Sequence, residues 1–110
     1  MELNPQTITT ELRAVIRELQ KGVAALAEAE TRTANANDRA DRLEWRTFLD
    51  VSGTVADRQA LAKFTAADLR LEAELARIEV TRIKAKIKAL ETEAMAISVM
   101  AKTVQVEWRS

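Results

Sequence analysis

The sequence predicts an all-α fold, an antiparallel helical hairpin of two long, coiled-coil-like helices that assembles into a homo-oligomer. The 110 residues include only two Gly and one Pro, so little interrupts helices. Apolar residues recur at alternating steps of three and four in both halves of the chain, which is the spacing of helices packed on partners. The clearest turn signal lies near the middle, at residues 51–54. These features predict a single helical-hairpin domain over residues 1–110.

The first helix is predicted over about residues 5–50. Asn4 can cap it, and Pro5 suits its first position. The middle of its apolar register is built of small residues, which allow a partner helix to approach closely. Trp45 beside Phe48 is expected to form a packing plug at the end of the hairpin. The register consists of Leu12, Val15, Leu19, Gly22, Leu26, Ala29, Thr33, Ala36, Ala40 and Leu43.

The predicted turn and the long second helix follow directly. Gly53 can take a left-handed conformation, and Thr54 can cap a helix over about residues 55–109 with Asp57 at its third position. The second helix carries an unbroken apolar register without a polar residue. This register consists of Leu69, Ala73, Ala76, Val80, Ile83, Ile87, Leu90, Ala94, Ile97, Ala101, Val104 and Trp108.

Two features of the second helix predict self-association. Folding back from the turn sets Pro5 level with about residue 100, so residues 101–110 are expected to form an overhang without a partner in the chain. A further apolar register on a neighbouring face contains Leu61, Phe64, Leu71, Leu75 and Ile78. Because two apolar stripes require two partners, a homo-oligomer is predicted. The predicted oligomer interface consists of Leu71, Leu75, Ile78, Ile97, Val104 and Trp108.

Composition argues against several functional classes. The chain has no Cys and no His, which excludes disulfides and zinc sites of the usual kind, and no metal or cofactor is expected. The acidic residues between 28 and 44 alternate with Arg and are expected to form ion pairs within the helix. No phosphate-binding glycine loop or activated nucleophile is present, so no catalytic residue and no enzyme activity are predicted. The start of the chain lacks the features of a secretion signal, and no run is long enough to span a membrane, so a cytoplasmic protein without a membrane partner is expected.

A basic run in the second helix is the candidate for nucleic-acid binding. Its members are Arg77, Arg82, Lys84, Lys86 and Lys88, with only Glu79 opposing them. At about 100° per residue they line two flanks of the apolar register. The run fits a cationic band that contacts phosphates without sequence preference. It equally fits side chains that extend beside a buried seam and keep an assembly soluble.

The middle of the chain also resembles a known family. An aromatic end of one helix precedes a Ser52-Gly53 turn with Arg58 behind it, and a long basic-and-apolar helix follows. Over roughly residues 40–110 this arrangement is similar to the small UvsY-like recombination mediators of bacteriophages. The resemblance implies a non-catalytic homo-oligomer that binds single-stranded DNA and helps load a recombinase in place of a single-strand-binding protein. It also implies the cytoplasm of a bacterial host, and it makes the basic run the DNA-contact candidate.

Two alternatives remain open at this stage. The first is a structural coiled-coil scaffold or adaptor that binds only protein. Basic residues aligned on one exposed surface favour DNA binding, whereas scattered residues paired with Glu72, Glu79 or Glu91 favour the scaffold. The second is a secreted helical hairpin with a Trp-x-Gly turn. Here the motif would begin at Trp45, but Thr47 stands at the glycine position, and no Tyr is present for the usual export motif.

Overall fold

The computed structural model describes the backbone of residues 4–109 and the side chains of residues 4–106. It contains two α-helices, α1 (Pro5–Asp50, 46 residues) and α2 (Val55–Arg109, 55 residues). No strand occurs in the described backbone. The predicted all-α class with two long helices is therefore confirmed.

The helix ends form as the local sequence predicts. The Oδ1 atom of Asn4 accepts a hydrogen bond of 2.9 Å from the backbone N–H of Thr7, which caps α1. The Thr54 hydroxyl accepts one of 3.1 Å from the N–H of Asp57, which caps α2. Between the helices Gly53 has φ of 124°, a conformation that residues with a Cβ rarely adopt. Gly53 and the capping Thr54 thus define the connection between the helices, and Asn4 defines the start of α1.

Contacts group the chain into two compact units. The turn unit comprises Ala27–Thr81, and the terminal unit comprises residues up to 26 and from 82 onward. In each unit a segment of α1 runs antiparallel to a segment of α2, which supports the helical hairpin. Two of the predicted apolar registers are the one on α1 that begins at Leu12 and the one on α2 that begins at Leu69. Every described position of these two registers is buried or half-buried. The single domain predicted over residues 1–110 stays a prediction.

The turn unit has a core of small side chains. All of its buried apolar residues are alanines with at most 4% of their surface exposed. Such residues let two helix backbones approach closely, but each one buries little apolar surface. The fully buried residues of this unit therefore each contribute little free energy of burial. The residues are Ala29, Ala36, Ala40, Ala62, Ala66 and Ala73.

Ion pairs across the turn unit fix the register of its two helices. Arg70 of α2 bridges two carboxylates of α1, at 2.7 Å to Asp41 and 2.6 Å to Glu44. The hydrogen bonds to Glu44 and to Asp41 raise the pKa of Arg70 above its ordinary value. Arg39 of α1 contacts Glu72 of α2 at 2.8 Å. Exposed pairs of this kind each contribute less than about 1 kcal/mol, so their effect is mainly on alignment.

These cross-helix pairs correct one sequence prediction. The acidic residues of α1 were expected to pair with arginines of the same helix, and Asp38 does so with Arg42 at 3.0 Å. Asp41 and Glu44 instead pair with Arg70 of the other helix. The reason is geometric, because the alanine core brings the two helices close enough for an arginine to span them.

The terminal unit holds the larger apolar side chains. Its buried cluster comprises Ile8, Val15, Ile97 and Val104, each at most 5% exposed. Half-buried apolar residues of both helices surround this cluster. These are Leu12, Leu19, Leu90, Ala94, Met100 and Ala101.

The cluster corrects the prediction of an overhang without a partner. Ala101 and Val104 pack in the same cluster as Ile8. Side chains of a helix lean toward its N-terminus, so Val104 covers the turn before it and reaches the level of Ile8. At the other end of this packing, a Cβ on Gly22 would lie 3.0 Å from Cγ1 of Ile87, so the helices approach closely there. The side chains of residues 107–110, which complete the predicted overhang, lie outside the described residues.

Candidate interaction surfaces

The basic residues predicted to bind DNA are distributed over both units of the chain. Arg77 belongs to the turn unit, where its Nε donates a hydrogen bond of 3.0 Å to Glu74. The hydrogen bonding between Arg77 and Glu74 raises the pKa of the guanidinium and lowers the pKa of the carboxyl. Arg82, Lys84, Lys86 and Lys88 belong to the terminal unit and are all exposed.

Within the terminal unit the four basic side chains divide between two flanks of α2. Lys84 and Lys88 are four residues apart and share one flank, while Arg82 and Lys86 share the other. The half-buried Ile83 separates the two pairs. The three lysines form no ion pair within the described part of the chain, and no acidic residue occurs between positions 80 and 90. Each flank therefore presents two cations about one turn apart.

A large apolar surface lies on the side of α2 that faces away from α1. We name the residues Leu61, Phe64, Leu71, Leu75 and Ile78 the outer face. Phe64 is 80% exposed, Leu71 and Leu75 are each 59% exposed, and the other two are 44–45% exposed. Leu71 and Leu75 each stand two residues from the buried Ala73, which is about 200° around the helix. Leu61, by contrast, is one residue, or about 100°, from the buried Ala62, so the outer face extends from the side opposite the packed seam to the neighbouring face that the sequence predicts.

The six residues predicted as an oligomer interface fall into three groups. Leu71, Leu75 and Ile78 lie on the outer face, so their role in self-association stays a prediction. Ile97 and Val104 are 4% and 3% exposed in the cluster of the terminal unit, so they are occupied within their own chain. The side chain of Trp108 lies outside the described residues.

The aromatic end of α1 is held by an arginine that the sequence analysis did not single out for this role. Arg58 donates two hydrogen bonds, of 3.0 and 2.8 Å, to the backbone carbonyl of Phe48. Its guanidinium carbon lies 4.3 Å from the centroid of the Phe48 ring. The contact satisfies a carbonyl in the last turn of α1, which the helix itself leaves unpaired. No spacing rule in the sequence pointed to this pairing.

The prediction that Trp45 plugs the end of the hairpin is wrong. Trp45 is 65% exposed, and it meets the half-buried Phe48 edge to face, with ring centroids 6.0 Å apart. The packing role belongs to Phe48 with Arg58. Trp45 borders an open groove of about 370 Å³ in the turn unit. The other residues lining this groove are Asp41, Glu44, Phe48, Gln59, Ala62 and Arg70.

The groove has no evident chemistry of its own. Its two carboxylates, on Asp41 and Glu44, are already bridged by Arg70. Throughout residues 4–106, no three His, Cys, Asp or Glu side chains are grouped so that they could hold a metal ion. Among the described helices, neither has a stretch long and apolar enough to cross a membrane.

Comparison with known proteins gives no match for this chain, whether to a family model, to a curated protein or to a solved structure. Its function therefore has to be argued from its own surfaces. Two of them stand out, the outer face of α2 and the lysine segment at positions 84–88.

Proposed function

We propose that the protein is a non-catalytic helical scaffold that assembles with further copies of itself through the outer face of α2. One observation carries this proposal. In the turn unit the buried apolar residues are alanines, while five large apolar side chains of the same unit are exposed on one face. Large apolar side chains exposed together on one face of a helix are typical of protein interaction sites.

A second copy is the partner that this surface fits best. The outer face follows the same alternation of three and four residues as the seam that α1 covers, which is the spacing for packing on another helix. The chain has zero formal net charge, so two copies approach without overall electrostatic repulsion. Pairing of two outer faces would bury the apolar bulk that the alanine core leaves exposed.

The test of self-association changes Leu71 and Leu75 together to Asp. Because both side chains are exposed, this variant keeps its fold, but the charges would have to be desolvated in the paired state. Sedimentation equilibrium should show a larger species for the unmodified protein and a single chain for the variant. A matched control is Val23→Asp on α1. Val23 is an apolar residue that is 61% exposed but does not belong to the outer face, so this variant should keep the mass of the unmodified protein. An unchanged mass in the double variant would contradict the proposal, provided that circular dichroism shows intact helices.

A second candidate function is recombination mediation, in which the protein binds single-stranded DNA and helps load a recombinase in place of a single-strand-binding protein. The observation in its favour is the segment with Lys84, Lys86 and Lys88, which are exposed and without ion pairs in the described chain. The resemblance to UvsY-like bacteriophage proteins points the same way, and it would place the protein in the cytoplasm of a bacterial host. Self-association would multiply the lysine segments on one assembly and strengthen a weak contact with phosphates.

Charge reversal tests this second function cleanly. Changing Lys84, Lys86 and Lys88 to Glu should abolish binding of fluorescent single-stranded DNA, measured by anisotropy, and leave the assembly intact. The other three lysines of the chain, Lys21, Lys63 and Lys102, offer a control triple variant with the same composition and net charge. Binding by the unmodified protein should weaken steeply with salt, because phosphate contacts release counterions. Equal binding by both triple variants would remove DNA contact from this segment.

A further inference from the structure

We infer that Asp68 restrains the pairing of two outer faces, so that the copies associate weakly and reversibly. This inference rests on the self-association proposed above and adds the residue that regulates it. The observation behind it is a single carboxylate in the middle of the apolar register of the outer face.

Helical spacing places Asp68 within the outer face. Asp68 stands two residues from the buried Ala66, which is about 200° around the helix from the side that packs on α1. Its side chain is exposed. With Asp68 included, the register of the face continues at alternating steps of three and four, and Asp68 is its one charged member. The register then consists of Leu61, Phe64, Asp68, Leu71, Leu75 and Ile78.

The carboxylate of Asp68 is not neutralised by the described part of its own chain. It forms no ion pair with the described residues. Of the positions one turn before and one turn after it on α2, none is basic. The one acidic residue among them, Glu72, pairs with Arg39 of α1 at 2.8 Å. Because Asp68 is exposed, water solvates its carboxylate in the single chain.

Pairing of two outer faces takes this carboxylate out of water in either orientation of the helices. In a parallel pair in register, Asp68 faces Asp68 of the partner subunit, and like charges set face to face are unfavourable. In an antiparallel pair that keeps all the apolar residues of the face in contact, Asp68 faces Leu71 of the partner subunit and loses its water without gaining a polar partner. The two carboxylates are then still only about one turn apart.

The restraint weakens the pair without preventing it. A single polar residue in an otherwise apolar seam lowers the stability of packed helices, while the remaining layers still pack. The five apolar side chains of the outer face therefore favour pairing, and the two copies of Asp68 oppose it. Such a surface suits an assembly that forms when copies are concentrated and dissociates on dilution.

Replacing Asp68 tests the restraint. By sedimentation equilibrium, Asp68→Leu should tighten self-association at least about tenfold, and Asp68→Asn should tighten it less because its amide remains polar. The control is Asp50→Leu at the exposed end of α1, which has the same composition and net charge but lies off the outer face and should leave self-association unchanged. Adding Leu71→Asp and Leu75→Asp to Asp68→Leu should return a single chain, since the gain acts through the outer face.

A mixture of opposite charges tests the carboxylate separately from the apolar bulk of leucine. Asp68→Lys protein and unmodified protein should form a mixed pair at least about threefold tighter than the pair of either protein with itself, because opposite charges replace like charges. A fluorescent label on one of the two proteins reports the mixed pair in sedimentation velocity. No preference for the mixed pair would show that the two side chains do not meet in the seam and would overturn the inference.

The outcomes separate this inference from the proposed self-association. If the unmodified protein associates and Asp68→Leu is no tighter, the restraint is overturned and self-association stands. If only Asp68→Leu pairs, the restraint is supported and self-association of the unmodified protein is contradicted. If both remain single chains while circular dichroism shows intact helices, both proposals are overturned.

Discussion

Replacing Ile97 with Asp is expected to lower the free energy of unfolding by about 4 kcal/mol or more, which is the largest single effect we predict. Ile97 is 4% exposed and packs in the cluster with Ile8, Val15 and Val104. A carboxylate there would be desolvated without a partner, and the helices of the terminal unit would separate to rehydrate it. Urea denaturation followed by circular dichroism measures this loss.

The matched control is Val99→Asp, two residues along the same helix. Val99 is 65% exposed, so the same change should alter the unfolding free energy by no more than about 0.5 kcal/mol. The comparison also separates two roles for Ile97. If Ile97→Asp leaves stability unchanged but dissociates an oligomer, Ile97 belongs to an interface between copies, as the sequence predicted, and its place in the core is wrong.

Replacing Ala40 with Leu should destabilise the turn unit by about 1–3 kcal/mol. Ala40 has no exposed surface and lies in the alanine core, where a larger side chain forces the helix backbones apart. Leu and Ala have similar helix propensities, so the loss reports packing and not helix formation. The separation would also lengthen the ion pairs of Arg70 with Asp41 and Glu44. Thermal or urea unfolding of the variant measures the effect.

Ala34→Leu serves as the control for this substitution. Ala34 lies on the same helix and is exposed, so its enlargement meets solvent and should be close to neutral. Equal stability of the two variants would show that α1 and α2 do not pack closely in the turn unit. The alanine core would then be an incorrect description of what holds this part of the chain together.

Much of the fold could be predicted because its determinants are local. The alternation of three and four residues identified the buried stripe of each helix, and every described position of those stripes is buried or half-buried. Asn4, Gly53 and Thr54 act at the helix ends through residue types whose preferences are intrinsic. Neither feature depends on how far one helix slides along the other.

The features that were predicted wrongly depend on contacts between the helices. Whether Val104 has a partner depends on the lean of its side chain toward Ile8, which is a displacement of less than one turn. Whether an aromatic residue plugs the hairpin depends on rotation about α1, and this rotation favours Phe48 over Trp45.

The candidate surfaces were only partly legible from the sequence. The lysines at 84, 86 and 88 could be found as a charge run, and their division between two flanks of α2 followed from helical spacing. The pairing of Arg77 with Glu74 required the structure. The apolar residues of the outer face were visible as a register. That they are the large side chains of a unit with an alanine core became clear only from burial. Because the large apolar side chains of this unit are exposed while its alanines are buried, we propose self-association as the first function and DNA binding as the second.

The most direct test of the account is the mass of the unmodified protein in solution, measured by sedimentation equilibrium over about a hundredfold range of concentration. Self-association through the outer face predicts a species of at least twice the 12.3 kDa chain mass that dissociates on dilution, as mass action requires. A mass of 12.3 kDa at every concentration would contradict the account and leave the outer face without a second copy to cover it.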